Sequence, residues 1–353
     1  MRFDFKKIFV QKAIYEDFIW RANAENIIQR FPDAEVVEVE SHWQIPELFA
    51  ADATDWMRVK RENLVLGIKS GLTHTKNGRS ADFIAASNSN GCLSSCQYCY
   101  VARRKGGSNP LTIFINIEEI AASIRRHQRK LGAKTSPNQC DANFWTYDIG
   151  CNADLSADSF ICDNPAFLIK EFATMEFAKA TFATKTVRDD YWTKIDPKGR
   201  TRIRYSLMPQ SVARYVDIGT SPISDRIASV NTLVDAGYEV HFSFAPIIVH
   251  GGDLWKKEWR EMFREIDETL TDRAKKQLQC EAFFLTHSAD LHETNLQWNA
   301  KGEEFLWNPA LQVPKKTAPD TLVYDYDFRR RELADFLKTL DENLPYCPVR
   351  YSF

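Results

Sequence analysis

The stretch "GCLSSCQYCY", residues 91–100, decides how the fold is read, because it sets Cys92, Cys96 and Cys99 within eight consecutive positions. The spacing C-x3-C-x2-C suits a tight loop that wraps three thiolates around one face of a metal cluster. A [4Fe–4S] cluster held by only three cysteines keeps one iron with an open position. Zinc competes for the same thiolates, but a closed structural zinc site needs a fourth Cys or His at short spacing. No second C-x2-C pair exists in the chain, and His127, on a charged helical stretch, is the lone candidate. A chance grouping of small buried thiols is the remaining explanation.

The 353 residues suit one large α/β domain with an appendage. A hydrophobic share of 44%, with 9 Trp, 12 Tyr and 23 Phe, can fill a sizeable core. The formal charge of −2 argues against an overall basic nucleic-acid coat and leaves room for a local basic groove. No early apolar run resembles a signal peptide, and no stretch approaches the roughly 18 to 20 apolar residues of a spanning helix. A cytoplasmic protein with no membrane partner is therefore expected. In a reducing compartment the eight cysteines are expected to bind metal, do chemistry or pack as small hydrophobes, not to pair as disulfides.

Three segments follow from the patterning. Residues 1–80 read as an N-terminal α/β supporting segment, with a helix over 16–31 and strands at "AEVVEVE" and "ENLVLGIKS". Residues 81–290 alternate strands and helices. The strands are "DFIAAS", "NFWTYDI", "ATFATK", "RIRYSLM", "EVHFSFAPI" and "CEAFFLT", with helices over 117–131, 222–236 and 255–270. Six strands alternating with helices imply a parallel sheet, doubly wound or curled into an open barrel. Residues 291–353 form a C-terminal extension: a polar, Pro-containing stretch (299–320), then "LVYDYDFRRRELADFLKTL", which ends in a helix. In parallel α/β folds functional groups gather at the C-terminal ends of strands. There lie the cysteine loop, Cys151, Lys185, Ser206, and Ala245 beside Pro246.

A C-x3-C-x2-C motif after the first barrel strand, with an aromatic before its last cysteine, resembles the radical S-adenosylmethionine superfamily. The resemblance implies a partial (β/α)6 TIM-like barrel whose cluster is held by Cys92, Cys96 and Cys99. S-adenosyl-L-methionine would chelate the open iron through its amine and carboxylate. Its reductive cleavage would give a 5′-deoxyadenosyl radical, fed by an external reductant such as flavodoxin or ferredoxin. "CQYCY", "YDIGCNAD", "FATK", "TRIRYS", "GTSPISDRI" and "APIIVHGG" occur in the order and rough spacing of the spore photoproduct lyase family. That resemblance runs from about residue 8 to the C-terminus and is strongest over 82–250.

The family's task is to reverse a methylene-bridged thymine dimer in DNA, which makes DNA the implied partner. Cys151 matches its hydrogen-atom donor, a role suited to a thiol because S–H is weaker than the C–H bond formed. Otherwise Cys151 is a small strand-end residue beside Gly150. Tyr98 and Tyr100 match a pair that relays a hydrogen atom; shielding the cluster from water is the plainer role. Lys185 and Ser206 match cofactor-contacting residues, and Ala245 falls among the cofactor-side positions. A solvated lysine and a strand serine are the ordinary alternatives.

The chain departs from the family at two places. Ala153 stands where a cofactor-contacting serine is usual, which removes a hydrogen bond of about 0.5–1.5 kcal/mol. Asn152 and Asp154 are the neighbours that could adjust for it. The family's Gly-rich hairpin, whose Arg-Tyr pair wedges into DNA to hold a flipped-out lesion, is replaced by "LVYDYDFRRRE". Tyr324, Tyr326, Arg329, Arg330 and Arg331 offer stacking and phosphate contacts. A charge run opening a surface helix explains the same letters. Three functions therefore stand: repair of the spore lesion, action on another nucleic-acid lesion or modified nucleotide, and a non-catalytic iron–sulfur or zinc protein that binds nucleic acid or senses redox state.

Overall fold

Runs of β-branched and aromatic residues pair as parallel strands when both faces are covered, and helices with one apolar face supply the cover. The computed structural model describes residues 3–49, 53–99, 101 and 109–353. These belong to two units, Met1–Leu93, Val101–Thr184 and Asp190–Arg202 in the first, Ser94–Tyr100, Lys185–Asp189 and Ile203–Phe353 in the second.

The first unit contains nine strands among its described residues: β1 (Lys7–Gln11), β2 (Glu35–Val39), β3 (Asn63–Gly67), β4 (Thr75–Lys76), β5 (Phe83–Ile84), β6 (Ser89–Asn90), β7 (Thr112–Phe114), β8 (Trp145–Asp148) and β9 (Ala178–Thr184). One sheet has the order β2-β1-β3-β7-β6. Its second strand, β1, runs parallel to both neighbours, with Ile8 opposite Val36 and Leu64. The period-2 rule sorts its core. Ile8, Val10, Leu64 and Leu66 pack on one face with Ala24, Ile27 and Ile113. Phe9 and Val65 pack on the other with Ile45, Leu48 and Val59. Strand β7 continues the parallel set, whereas β6 pairs antiparallel with it, Asn90 opposite Thr112. The cysteine loop thus leaves the end of one strand, and its chain returns on the neighbour.

The second strand set of this unit has β5 parallel to β8 and β8 parallel to β9, with β4 antiparallel at the edge. The helix Ile117–Leu131 buries Ile117, Ile120, Ala121 and Ile124, the apolar stripe of its sequence. At the strand starts, Asp82 is buried and accepts from Lys134 Nζ (2.9 Å) and from the Thr146 N–H (2.9 Å). Satisfied on every side, this ion pair pins the 132–144 connection to the sheet.

In the second unit, strands β10 (Thr201–Leu207), β11 (Glu239–Ile247), β12 (Cys280–Phe284) and β16 (Val349–Ser352) are neighbours in that order. Strand β12 runs parallel to both β11 and β16. Phe244 packs edge-on against Trp259, Phe263 and Phe336, which joins the strand to the helices Leu254–Thr269 and Tyr326–Asn343. The strands also carry buried charge: Glu281 lies 3.2 Å from Arg204 and 3.6 Å from Arg350, whose guanidinium reaches His241 at 3.1 Å. A smaller antiparallel sheet, ordered β13-β15-β14, is made from β13 (Thr286–Ser288), β14 (Gln312–Lys315) and β15 (Ala318–Tyr324).

All six strands anticipated for residues 81–290 are present, as β5 and β8 to β12. The three anticipated helices are Ile117–Leu131, Ile223–Asp235 and Leu254–Thr269. Strand β1 carried no alternation to announce it, since both its faces are buried. The polar, Pro-containing 299–320 stretch holds the helix Ala300–Leu306, β14 and the start of β15. Among the described residues no helix is long and apolar enough to cross a membrane, and the eight cysteines form no disulfide.

Asp158, fully buried at the end of the helix Leu155–Asp158, accepts from the Ser89 hydroxyl of β6. Burial, aided by the charge of Asp154, raises its carboxyl to about 8 from the ordinary 3.8. Between those values the unfolded chain has released a proton that the folded chain keeps, so stability falls as pH rises through that window. Asp158→Asn is expected to flatten this slope. Urea midpoints measured across the window check it, and an unchanged slope would mean another group is responsible.

Candidate active site

The loop that carries the three cysteines has little regular structure, so its main-chain groups must find partners elsewhere. From Ser94 onward they find them on the segment after the helix Gln210–Val216. The Ser95 N–H donates to the Ile218 carbonyl (2.8 Å), the Gln97 N–H to the Val216 carbonyl (2.9 Å), and the Ser94 hydroxyl to the Gly219 carbonyl (3.0 Å). Within the loop the Cys99 N–H donates to the Cys96 carbonyl (3.1 Å). Cys96 is buried, while Cys92 and Cys99 are half-buried. From the other side, the helices Ala289–Trp298 and Ala300–Leu306 hold Gln97. Asn295 Nδ2 donates to its main-chain oxygen (3.0 Å), and its side-chain amide donates to the Asn299 carbonyl (2.9 Å). A Cβ at Gly302 would lie 1.6 Å from Gln97 Oε1, so only glycine lets that helix approach.

Asp217 organises the centre of this arrangement. Its side chain is 1% exposed and takes Lys185 Nζ at 2.8 Å on Oδ1 and Arg226 Nη1 at 3.3 Å on Oδ2. The Tyr98 hydroxyl also donates to Oδ1 and meets the Lys185 ammonium, which sits 4.4 Å from the centre of the Tyr98 ring. Arg226 spends its remaining donors on the Ser206 carbonyl (2.7 Å), the Ser221 carbonyl (2.9 Å) and the Thr220 hydroxyl (2.5 Å). Burial alone would push the Asp217 carboxyl up. The cations Lys185 and Arg226, with hydrogen bonds from Lys185 and Cys96, outweigh it and hold the carboxyl below the usual carboxylate range.

Three of the sequence-predicted residues, Tyr98, Lys185 and Ser206, therefore share one network, built around Asp217 and Arg226. Sequence reading passed over those two. Arg226 lies inside the quoted block "GTSPISDRI", but nothing in a one-dimensional pattern marks a charge as buried. Ala245 is half-buried within β11. Tyr100 lies outside the described residues.

In the first unit Cys151 is half-buried in the turn after β8. The turn is fastened by two bonds from Asn152: its carbonyl accepts from the Gly91 N–H (3.0 Å), and its amide donates to the Ser87 hydroxyl (2.8 Å). Gly91 takes φ +101°, and a Cβ there would come within 3.0 Å of the Pro110 carbonyl, so the residue before Cys92 has to be glycine. The neighbours expected to adjust for Ala153 are already engaged. Asp154 accepts from the Ala157 N–H (3.2 Å) at the helix start and from the Thr184 hydroxyl (2.6 Å).

His127, the lone candidate for a fourth zinc ligand, bonds the Tyr147 hydroxyl (2.7 Å) and packs edge-on against Phe83. It is a half-buried aromatic packing residue. Tyr324 needs correction as a surface contact: it is 1% exposed, and its hydroxyl accepts from the Val249 N–H (2.9 Å). Tyr326, Arg329 and Arg330 lie in the opening turns of the helix Tyr326–Asn343, with Tyr326 64% exposed. Asp325 caps that helix by accepting from the Asp327 and Phe328 N–H groups. The hairpin proper is β14–β15, turning at Lys316 and Thr317, with Lys315 and Lys316 exposed at its tip.

Removing Asp217 would leave Lys185 and Arg226 facing each other without their counter-ion. Breaking a buried pair this way costs about 3–5 kcal/mol. Asp217→Ala is expected to lose stability on that scale in urea unfolding at neutral pH. Because the folded-state pKa is depressed, the deficit should shrink as pH falls below the ordinary carboxylate value of 3.8.

The family model described as spore photoproduct lyase matches residues 9–290. Two similar proteins are the spore photoproduct lyases of Bacillus subtilis (strain 168) and Geobacillus sp. (strain Y412MC61). The first is 25% identical over 67% of this chain and 66% of its own length, the second 22% identical over 75% of each. The chain thus spans just under two thirds of the Bacillus subtilis relative in that match. Solved spore photoproduct lyases resemble it over 100% of both chains at 18% identity. A single-residue variant gives a TM-score of 0.86, and a form complexed with dinucleoside spore photoproduct gives 0.85. The likeness shows the fold class expected from the sequence, a mixed α/β chain with a partial-barrel sheet. With the family model covering well over half of its residues, the chain belongs to the spore photoproduct lyase family.

Proposed function

We propose that the chain is a radical S-adenosylmethionine lyase that repairs the methylene-bridged thymine dimer in DNA. The observation that carries this reading is the three-cysteine loop, held by main-chain bonds, in a chain matched to the family over residues 9–290. The donor set fits a [4Fe–4S] cluster: three thiols outside any disulfide, two of them half-exposed, with His127 engaged elsewhere. Cys92, Cys96 and Cys99 would hold it, with Lys185, Ser206 and Ala245 on the side of S-adenosylmethionine. When bound, that pair supplies a carbon radical able to take hydrogen from an unactivated C–H bond.

The chain's own residues do the rest. The Lys185–Asp217–Arg226 network fixes the loop and keeps the Tyr98 hydroxyl oriented on a carboxylate. Cys151 holds a thiol hydrogen on a fastened turn, ready for the product-side radical, and Tyr98 with Tyr100 would return the hydrogen balance. Residues 1–80 support, 81–290 carry the chemistry and 291–353 face DNA, through Tyr326, Arg329, Arg330 and the basic tip at Lys315 and Lys316. A flavodoxin or ferredoxin of the cytoplasm would supply the electron. A second reading, action on another nucleic-acid lesion or modified nucleotide, rests on the hairpin tip, which has lysines and no Arg-Tyr pair.

Anaerobically reconstituted, reduced protein is expected to release 5′-deoxyadenosine from S-adenosylmethionine and to return thymines from DNA carrying the spore lesion. Release of 5′-deoxyadenosine without restored thymines would favour the second reading. In Cys151→Ala, cofactor cleavage should continue while repair falls about tenfold or more, equivalent to a barrier increase of about 1.4 kcal/mol. Unchanged repair would remove Cys151 from the mechanism.

A further inference from the structure

Beneath the cysteine loop, three side chains from successive elements point at one spot. His287 comes from β13, His292 from the helix Ala289–Trp298 and Glu303 from the helix Ala300–Leu306. Their ligand atoms all lie within 4.8 Å of one another. Glu303 Oε2 is 3.0 Å from His287 Nε2 and 2.7 Å from His292 Nδ1. We infer that these residues form a divalent-metal site of the zinc class, which clamps the two helices that hold Gln97.

The donor chemistry supports this. Two imidazole nitrogens and one carboxylate are a donor set that zinc takes with three protein ligands and a fourth open position. Glu303 and His292 are each oriented by a neighbour. Asn295 Nδ2 donates to Glu303 Oε1, and the His292 ring stacks on Trp307 with centroids 4.0 Å apart and planes 9° from parallel. Such outer contacts fix the angle at which a ligand meets its metal. His287 and Glu303 are buried, while the His292 side chain keeps 19% of its surface exposed and leaves a route for the ion.

The position suggests the role. The same Asn295 amide that orients Glu303 also bonds the Gln97 main chain, between Cys96 and Cys99. An ion on His287, His292 and Glu303 would cross-link β13 to both helices and so stiffen the support under the loop. Metal uptake is measured on the protein alone, so its outcome is separate from whether the lyase reading holds.

The test is the metal content of the full-length protein, stripped with EDTA, supplied with zinc sulfate and desalted. One tightly held zinc per chain is expected, and it should persist in the triple variant C92S/C96S/C99S. Glu303→Gln should lose it, and Asn295→Ala should weaken it about 10–100-fold. Absence of zinc, or zinc that leaves with the three cysteines yet survives Glu303→Gln, would overturn the inference and leave a hydrogen-bonded trio only. Should Glu303→Gln fail to fold, cobalt loading of the unsubstituted protein decides. Weak ligand-field bands without thiolate charge transfer are expected, and thiolate charge transfer alone would overturn it.

Discussion

Asp217 is a carboxylate withdrawn from water, and the geometry around the cysteine loop depends on its staying paired. Its charge is tolerable there only because Lys185 and Arg226 reach it from different parts of the chain while Tyr98 donates to it. Each partner thereby becomes fixed. Lys185 loses the freedom of a strand-end lysine, Tyr98 is held by its hydroxyl, and Arg226 extends the network to the β10 main chain at Ser206. Such a network contributes less to net stability than to uniqueness, since every alternative placement of the loop would strand a buried charge.

The parts of the fold that could be read from sequence are those where burial is one-sided or where strands and helices alternate. The helix Ile117–Leu131 announced its own boundaries because its apolar stripe repeats at helical spacing, with Glu118 and Glu119 at the start and Arg129 and Lys130 at the end. The six strands of the central segment were legible as short apolar runs. Strand β1 was not, because a strand buried on both faces has no alternation. The hairpin β14–β15 was missed for a different reason: its two-residue turn is Lys316-Thr317, without the Asn-Gly or Gly signal that usually marks such a turn.

The site divides the same way. Three cysteines at fixed spacing are a local signal and survive translation into one dimension. Asp217 and Arg226 meet only in the folded chain, as does Glu303 with His287 and His292, whose H-x4-H spacing alone is a weak signal. Tyr324 shows the converse error. Its neighbourhood reads as aromatic and basic, yet strand alternation turns that one ring inward, where it meets Phe284 and Phe328.

The bond from the Gly91 N–H to the Asn152 carbonyl joins the residue before Cys92 to the residue after Cys151. On the proposed reading, an iron centre lacking one protein ligand would share the chain with the Cys151 thiol, and such a pairing carries a hazard. The thiol can fill the vacant coordination position and silence both groups. Fastening the two backbones at a single amide fixes how far the Cys151 turn can swing, and the left-handed glycine makes that fastening possible. On the proposed reading, the same short bond would hold Cys151 as a hydrogen donor while denying it the role of ligand.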